Sequence, residues 1–337
     1  MQFGVGLVGE HRPCDMRELV RLCEQLGFDT AWFTDERFHR DAFVNMTAAA
    51  IATERLAIGC MVTDPFIRHP ALTAAAAASL DDLSGGRFTL GLGAGISGFS
   101  ELGIVRTRPA RAIRESIDLI NRLTSGEQDI RLCGEIIEFG PGQLDFLPER
   151  RTPIFVAGRG PRVLEAAGAL ADGVVVGSYA NETGIRWALA QAARGVKRSG
   201  RNIETLDKVS WLYTSVSKDR HAALDAVRVG VAVALLGSHD ILDQIGVELP
   251  AAVLAHMRST GYRFDRSTLM QLGAMLPDEL IKRFSVAGTL SDVVEQLAEI
   301  RELGMTQAAL WPFPATGASL HDLLRVLGED VLPVFRD

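Results

Sequence analysis

The sequence is short of most features that would commit it to a disulfide frame, a metal or a polyanionic partner. Cysteine occurs four times in 337 residues, at Cys14, Cys23, Cys60 and Cys133, and no two form a CxxC pair. Neither a disulfide frame nor a zinc site is therefore indicated. The seven histidines contain no HxxxH or HExxH spacing, so no metal is expected. A GxSxG elbow is missing as well, which removes the usual serine-hydrolase signature. The net charge of −7 argues against a nucleic-acid binder, which would normally carry a basic stripe. No apolar run is long enough to span a bilayer; Ala71 to Leu80 contains Thr73 and Ser79 and stops at Asp81-Asp82. No basic segment followed by an apolar stretch opens the chain, so no leader is visible, and a reduced, cytoplasmic protein is the default expectation. Lysine is scarce, at 4 residues against 31 arginines. A GC-rich genome produces that bias by itself, although arginine also suits phosphate and carboxylate recognition.

What is there is an ordinary globular composition, 47% hydrophobic and 23% charged. Its length fits a single α/β barrel with insertions. One unit recurs: a helical stretch, a short turn containing Gly or Asp, then an apolar run. Leu26-Gly27-Phe28-Asp29, Leu170-Ala171-Asp172-Gly173 and Leu303-Gly304-Met305-Thr306 are three such turns. Short, uniformly apolar strands are buried on both faces, as in a parallel sheet. Eight strands are predicted, near 3–8, 30–34, 56–62, 88–93, 154–157, 173–176, 209–216 and 307–310. Helices fill the gaps, and a late helix covers 319–327. Eight βα units suggest a closed (β/α)8 TIM barrel over residues 1–337 as one domain, not an open sheet. Two stretches break the rhythm: 125–151, where Ile136–Phe139 reads as a hairpin arm, and 218–284, which reads as a helical insertion before the last βα unit.

In such a barrel, ligand-binding residues come from the carboxyl ends of the strands. Those ends offer Glu10, the run Asp35-Glu36-Arg37-Phe38-His39, Thr63-Asp64, Gly93-Ala94-Gly95-Ile96, Gly158-Arg159-Gly160-Pro161 and Gly177-Ser178. Glycines 158 and 160 allow a ligand close to the backbone, and Pro161 suits a first helical position. The N–H groups there, with Arg159 or Arg162, can hold a phosphate; a plain βα turn with a solvated Arg159 accounts for the same residues. Gly91-Leu92-Gly93-Ala94-Gly95 has GxGxG rather than GxGxxG spacing and no helix directly after it, so a dinucleotide fold is not indicated. Its glycines fit a flat ring or sugar-alcohol chain lying on the backbone. Asp35 and Glu36 are adjacent and point to opposite sides in extended chain; solvated loop carboxylates are the plainer alternative. His69, before Pro70 and an alanine-rich helix, reads as a capping or packing residue.

Thr34-Asp35, the run Val62 to Pro70, and Ser84-Gly85-Gly86-Arg87 followed by Gly91 to Gly95 resemble the bacterial luciferase-like superfamily. Ala157 to Pro161, Ala171-Asp172-Gly173 and Phe284 to Thr289 fall in the matching order. The branch resembled is that of deazaflavin-dependent reductases similar to methylenetetrahydromethanopterin reductase. The resemblance implies an oxidoreductase that moves a hydride between coenzyme F420 and a small organic substrate, and a homodimer without nucleic-acid or membrane partners. An FMN-dependent monooxygenase or reductase on the same barrel is the alternative, and a non-catalytic flavin-binding paralogue a third reading. It also implies a non-prolyl cis peptide near Cys60-Met61-Val62. By position, Asp35, Met61, Val62 and Thr63 become cofactor candidates, as do Ala94, Gly95, Ile96, Ala157, Gly158, Arg159, Gly160, Gly177 and Ser178. Related enzymes often carry His where Glu36 stands, so the expected acid/base residues are Glu36, then Glu10 or His39, with Asp35 orienting the ring.

Overall fold

Largely apolar runs four to ten residues long, mostly buried on both faces, build the strands of the barrel wall. The computed structural model describes residues 1–95 and 98–336. Its strands are β1 (Gln2–Leu7), β2 (Thr30–Phe33), β3 (Ala57–Cys60), β4 (Phe88–Leu92), β5 (Ile130–Cys133), β6 (Glu138–Gly142), β7 (Ile154–Gly158), β8 (Gly173–Gly177), β9 (Asp207–Val216), β10 (Ser285–Gly288) and β11 (Gln307–Pro312). The helices are α1 (Pro13–Gln25), α2 (Ala42–Ala52), α3 (Pro70–Ser84), α4 (Pro109–Thr124), α5 (Pro161–Leu170), α6 (Glu182–Ser199), α7 (Arg220–Gly237), α8 (Ala251–Ser259), α9 (Arg266–Met275), α10 (Asp278–Phe284), α11 (Leu290–Glu302) and α12 (Leu320–Val326).

Parallel pairing runs from β1 through β2, β3, β4, β7, β8, β9 and β11 back to β1, which closes an eight-stranded barrel. A further parallel segment, β10, was not expected from the sequence. It pairs with Tyr213–Val216 of β9, directly beyond the stretch where β8 pairs with Asp207–Trp211. Four residues are too few to show a period, and β10 extends the wall only at the carboxyl end. The segment after β9 holds α7, α8, α9 and α10, a helical insertion in the expected place. β5 and β6 form an antiparallel arm. The tip of that arm, not a strand, occupies Ile136. There Glu115 of α4 accepts from the N–H groups of Glu135, Ile136 and Ile137 at 2.8–3.0 Å.

Alternation along each strand decides what fills the barrel. Trp32 points inward, and glycines make room for it: a side chain at Gly4 or Gly59 would lie 2.5 and 2.1 Å from its ring. Gly6 yields to Trp311 in the same way, at 2.1 Å. Trp311 stacks on Trp211 with ring centroids 4.3 Å apart. At the amino-terminal end inward and adjacent polar groups pair with one another. Trp32 Nε1 donates to Gln307 Oε1 (2.8 Å), whose Nε2 donates to Thr30 Oγ1 (3.1 Å). Arg87, from the Ser-Gly-Gly-Arg turn, donates to the carbonyls of Ala50, Thr53, Leu56 and Ser84 and to Thr53 Oγ1 at 2.6–3.1 Å. Asp81 accepts from the Phe88 N–H and a bidentate Arg150.

Candidate functional site

The loop after β2 sends its two carboxylates apart. Asp35 lies on the β3 side: burial holds the Cys60 thiol and the Asp64 carboxyl up, and the negative field of Asp35 adds to both. Glu36 faces the interior, where its field reaches the buried Tyr213 phenol of β9. Burial is the main cause that raises that phenol, while Arg159 and Ser178 beside it pull the other way. Glu36, Arg159 and Ser178, proposed from three separate strand ends, thus meet around Tyr213. The sequence reading missed Tyr213, although it stands two residues beyond Trp211 on the inward phase of β9. Glu10 and His39 are exposed on the rim. Arg40 ties their loops together by donating to the Glu10 carbonyl and, through its N–H, to Gly9 O at 3.1 Å.

The third strand ends in the expected place with a cis Met61–Val62 peptide. Thr63 N–H donates to Gly91 O (3.0 Å) and Gly93 N–H to Thr63 O (2.9 Å), locking the bulge onto β4. The glycine run is spent on this contact. A side chain at Gly91 would sit 2.0 Å from Cys60 O, and one at Gly93 2.5 Å from Val62 Cγ2. Gly95, at φ +61°, is filled by Arg37 and Phe99. The space assigned from sequence to a ring or sugar-alcohol chain at these three glycines is therefore occupied by protein. Arg37, paired with the buried Asp64, lies 4.4 Å over the Phe99 ring, and Arg106 lies 4.7 Å from it. Arg106 also donates to the carbonyls of Ala94 and Gly95. Ile96, a cofactor candidate, lies outside the described residues. His69 caps α3, its Nδ1 accepting from Ala71 N–H at 3.2 Å.

After β7, Gly160 caps α5 without a side chain, and nothing stands within 4 Å of where its Cβ would be. Half-buried Ala157 and Gly158 lead into this turn. Outside it lies a cavity of about 780 Å³ between the starts of α4 and α5, lined by Arg108, Arg111, Arg114 and Arg162 with Gly160 and Pro161. Arg108 and Arg111 pair with Glu135; Arg114 and Arg162 have no carboxylate partner among the described residues. Arg159 turns the other way, into the barrel. Side chains at Gly177 and Gly237 would stand 3.1 Å from its Cγ and 2.8 Å from its Nη1. Its Nη2 reaches Ser178 Oγ at 3.4 Å.

The upper interior holds buried polar atoms without partners: Thr34 Oγ1, Arg159 Nε, Trp211 Nε1, Ser215 Oγ and Trp311 Nε1. All lie on the inward phase of their strands, and all can donate. Buried donors are paired in nearly all folded proteins, so this set is what an acceptor-rich ligand would complete. Among the described residues no group of His, Cys, Asp or Glu is arranged to hold a metal ion.

A family model described as luciferase-like monooxygenase matches residues 1–307. The 5,10-methylenetetrahydromethanopterin reductase of Archaeoglobus fulgidus is 31% identical, with 99% of each chain covered. The F420-dependent glucose-6-phosphate dehydrogenase of Nakamurella multipartita is 28% identical, over 96% of this chain and 93% of that one. The structure of the coenzyme F420-dependent tetrahydromethanopterin reductase from Methanopyrus kandleri superposes with a TM-score of 0.85 at 25% identity, covering 99% of both chains.

Proposed function

The chain belongs to the luciferase-like monooxygenase family, and from that premise we propose that it is an oxidoreductase moving a hydride between coenzyme F420 and a small organic substrate. The observation that carries the choice of cofactor is the arginine-lined groove beside the α5 start. F420 bears a phosphate and an oligoglutamate tail. The backbone N–H groups of Gly160 and Arg162 suit the phosphate, and Arg114 and Arg162 suit glutamate carboxylates leaving along the groove. FMN, the alternative, has a phosphate but no tail to use these charges.

The unpaired donors of Thr34, Trp211 and Trp311 fit the carbonyl-edged ring of a deazaflavin, which supplies the carbon that gives or takes the hydride. The cis bulge at Met61–Val62 and Thr63 forms the wall on the β3 side, next to Asp35. Glu36 serves as the proton partner at the substrate, acting across the mouth from Tyr213. The packed tryptophans and the α7 insertion exclude water. We further propose that the chain is one barrel domain with its additions near 125–151 and 218–284, and that it pairs with a second copy through α2 and α3. α2 carries no charged residue, and Val44, Ile51, Leu72 and Leu83 are exposed on these two helices. Free thiols at Cys14, Cys23, Cys60 and Cys133 suit a reducing cytoplasm.

The test of the cofactor reading is a fluorescence titration with F420 and with a deazaflavin lacking phosphate and glutamates. F420 should bind at least tenfold more tightly, and the double variant Arg114→Gln/Arg162→Gln should lose most of that advantage. Equal binding of both ligands by the parent protein would contradict the assignment.

A further inference from the structure

Arg159 is satisfied far less well than Arg87 or Arg151. A guanidinium has five N–H donors, and taking it out of water without partners is costly. Arg87 makes five hydrogen bonds, and Arg151 makes three to Asn121 and Asp172. Arg159 meets two hydroxyls, Ser178 Oγ at 3.4 Å and the Tyr213 phenol, and keeps a buried Nε without a partner. No carboxylate among the described residues forms an ion pair with it. The position is nonetheless built. Gly177 and Gly237 leave the space that the side chain fills, and Gly177 is in register with the inward-facing Trp211. The side chain runs along the interior wall, away from the α5 start where Gly160 and Arg162 line the outer groove.

We infer that Arg159 is a substrate-binding residue that anchors a carboxylate, and that the substrate class is a small oxo- or hydroxy-carboxylate. The planar fork of arginine matches the two oxygens of a carboxylate. Arg159 brings a positive charge to this recess, and the field of Glu36 reaches the same Tyr213 phenol. A monoanion adds less negative charge beside Glu36 than a phosphate dianion would. The Ser178 hydroxyl and the unpaired Ser215 hydroxyl supply donors for the oxo or hydroxyl oxygen. Hydride delivered to the oxo carbon, with a proton to its oxygen, gives the hydroxy acid; the reverse returns both, and F420 is the redox partner. Only this last step rests on the cofactor reading; the anion site does not.

The experiment compares 2-oxobutanoate with butan-2-one, and with glucose 6-phosphate, as stabilisers of the protein against thermal unfolding, with and without F420. The oxo acid should bind at least tenfold more tightly than either. Arg159→Gln should abolish that preference while F420 affinity changes less than threefold, and Arg159→Lys should restore part of it. No preference over the ketone, tighter Arg159-dependent binding of the phosphate ester, or a large loss of F420 affinity in Arg159→Gln would each overturn the inference. A preference that persists where F420 does not bind would uphold the anion site and sink the cofactor reading.

Discussion

At the amino-terminal end of the barrel, Arg87 gives its N–H groups to four carbonyls and a hydroxyl. At the carboxyl end, Arg159 meets two hydroxyls, Ser178 Oγ at 3.4 Å and the Tyr213 phenol, and its buried Nε has no partner. The same contrast runs through the carboxylates and hydroxyls. Glu24 accepts from three consecutive N–H groups at Glu54, Arg55 and Leu56, and Asp172 from Arg151 and the Ile154 N–H. Thr34, Ser215 and two tryptophans at the other end keep buried polar atoms without partners. A hydrogen bond left unmade inside a protein costs about 1–3 kcal/mol per group. One end therefore contributes stability, and the other gives some up where a ligand restores it, the division expected of this architecture.

Substitutions at the two ends should differ in what they change. Arg87→Ala strips partners from several buried carbonyls and should lower unfolding free energy by about 3 kcal/mol, read by urea denaturation, while the folded fraction keeps its F420 affinity. A loss of affinity with unchanged stability would reverse the assignment of the ends. Glu36→Gln should lower turnover about a hundredfold and leave the denaturation midpoint in place; unchanged turnover would remove Glu36 from the proton-transfer role. Glu24 tests the lower end by pH. Burial pushes its carboxyl up, but the three backbone N–H groups outweigh that and hold it below its ordinary value. Such a group stabilises above the unfolded value, about 4.3, and that contribution is lost as pH falls through the folded value. Glu24→Gln should therefore be less stable than the parent by about 1 kcal/mol at pH 7, with the gap closing below about pH 4. The smallest effect has the opposite sign: Thr34→Val removes an unpaired hydroxyl, so stability should hold or rise slightly while F420 binding weakens by about 1 kcal/mol. A stability loss there would mean that the hydroxyl has a structural partner.

Much of this contrast was legible in the sequence, at one end more than the other. The short apolar runs after Gly or Asp turns gave the barrel strands to within a few residues, because burial on both faces leaves a plain signature. Asp35 and Glu36 diverge as their adjacency requires. Three things were not legible. β10 is four residues long and is held by pairing with β9, a long-range contact. Gly91, Gly93 and Gly95 read as space for a ligand, yet that space is taken by Cys60 O, Val62, Arg37 and Phe99. Arg159 read equally as a phosphate ligand or a solvated turn residue. Its inward course depends on Gly177 and Gly237, which are 18 and 78 positions further along the chain.

The carboxyl-end recess and its arginine groove are built to hold F420. Titration of the purified protein with F420 and with FMN, followed by cofactor fluorescence, tests this most directly. F420 should bind at micromolar concentration or below, weakened by salt as the groove charges are screened, with FMN binding at least tenfold weaker. Submicromolar FMN binding with no detectable F420 binding would contradict it.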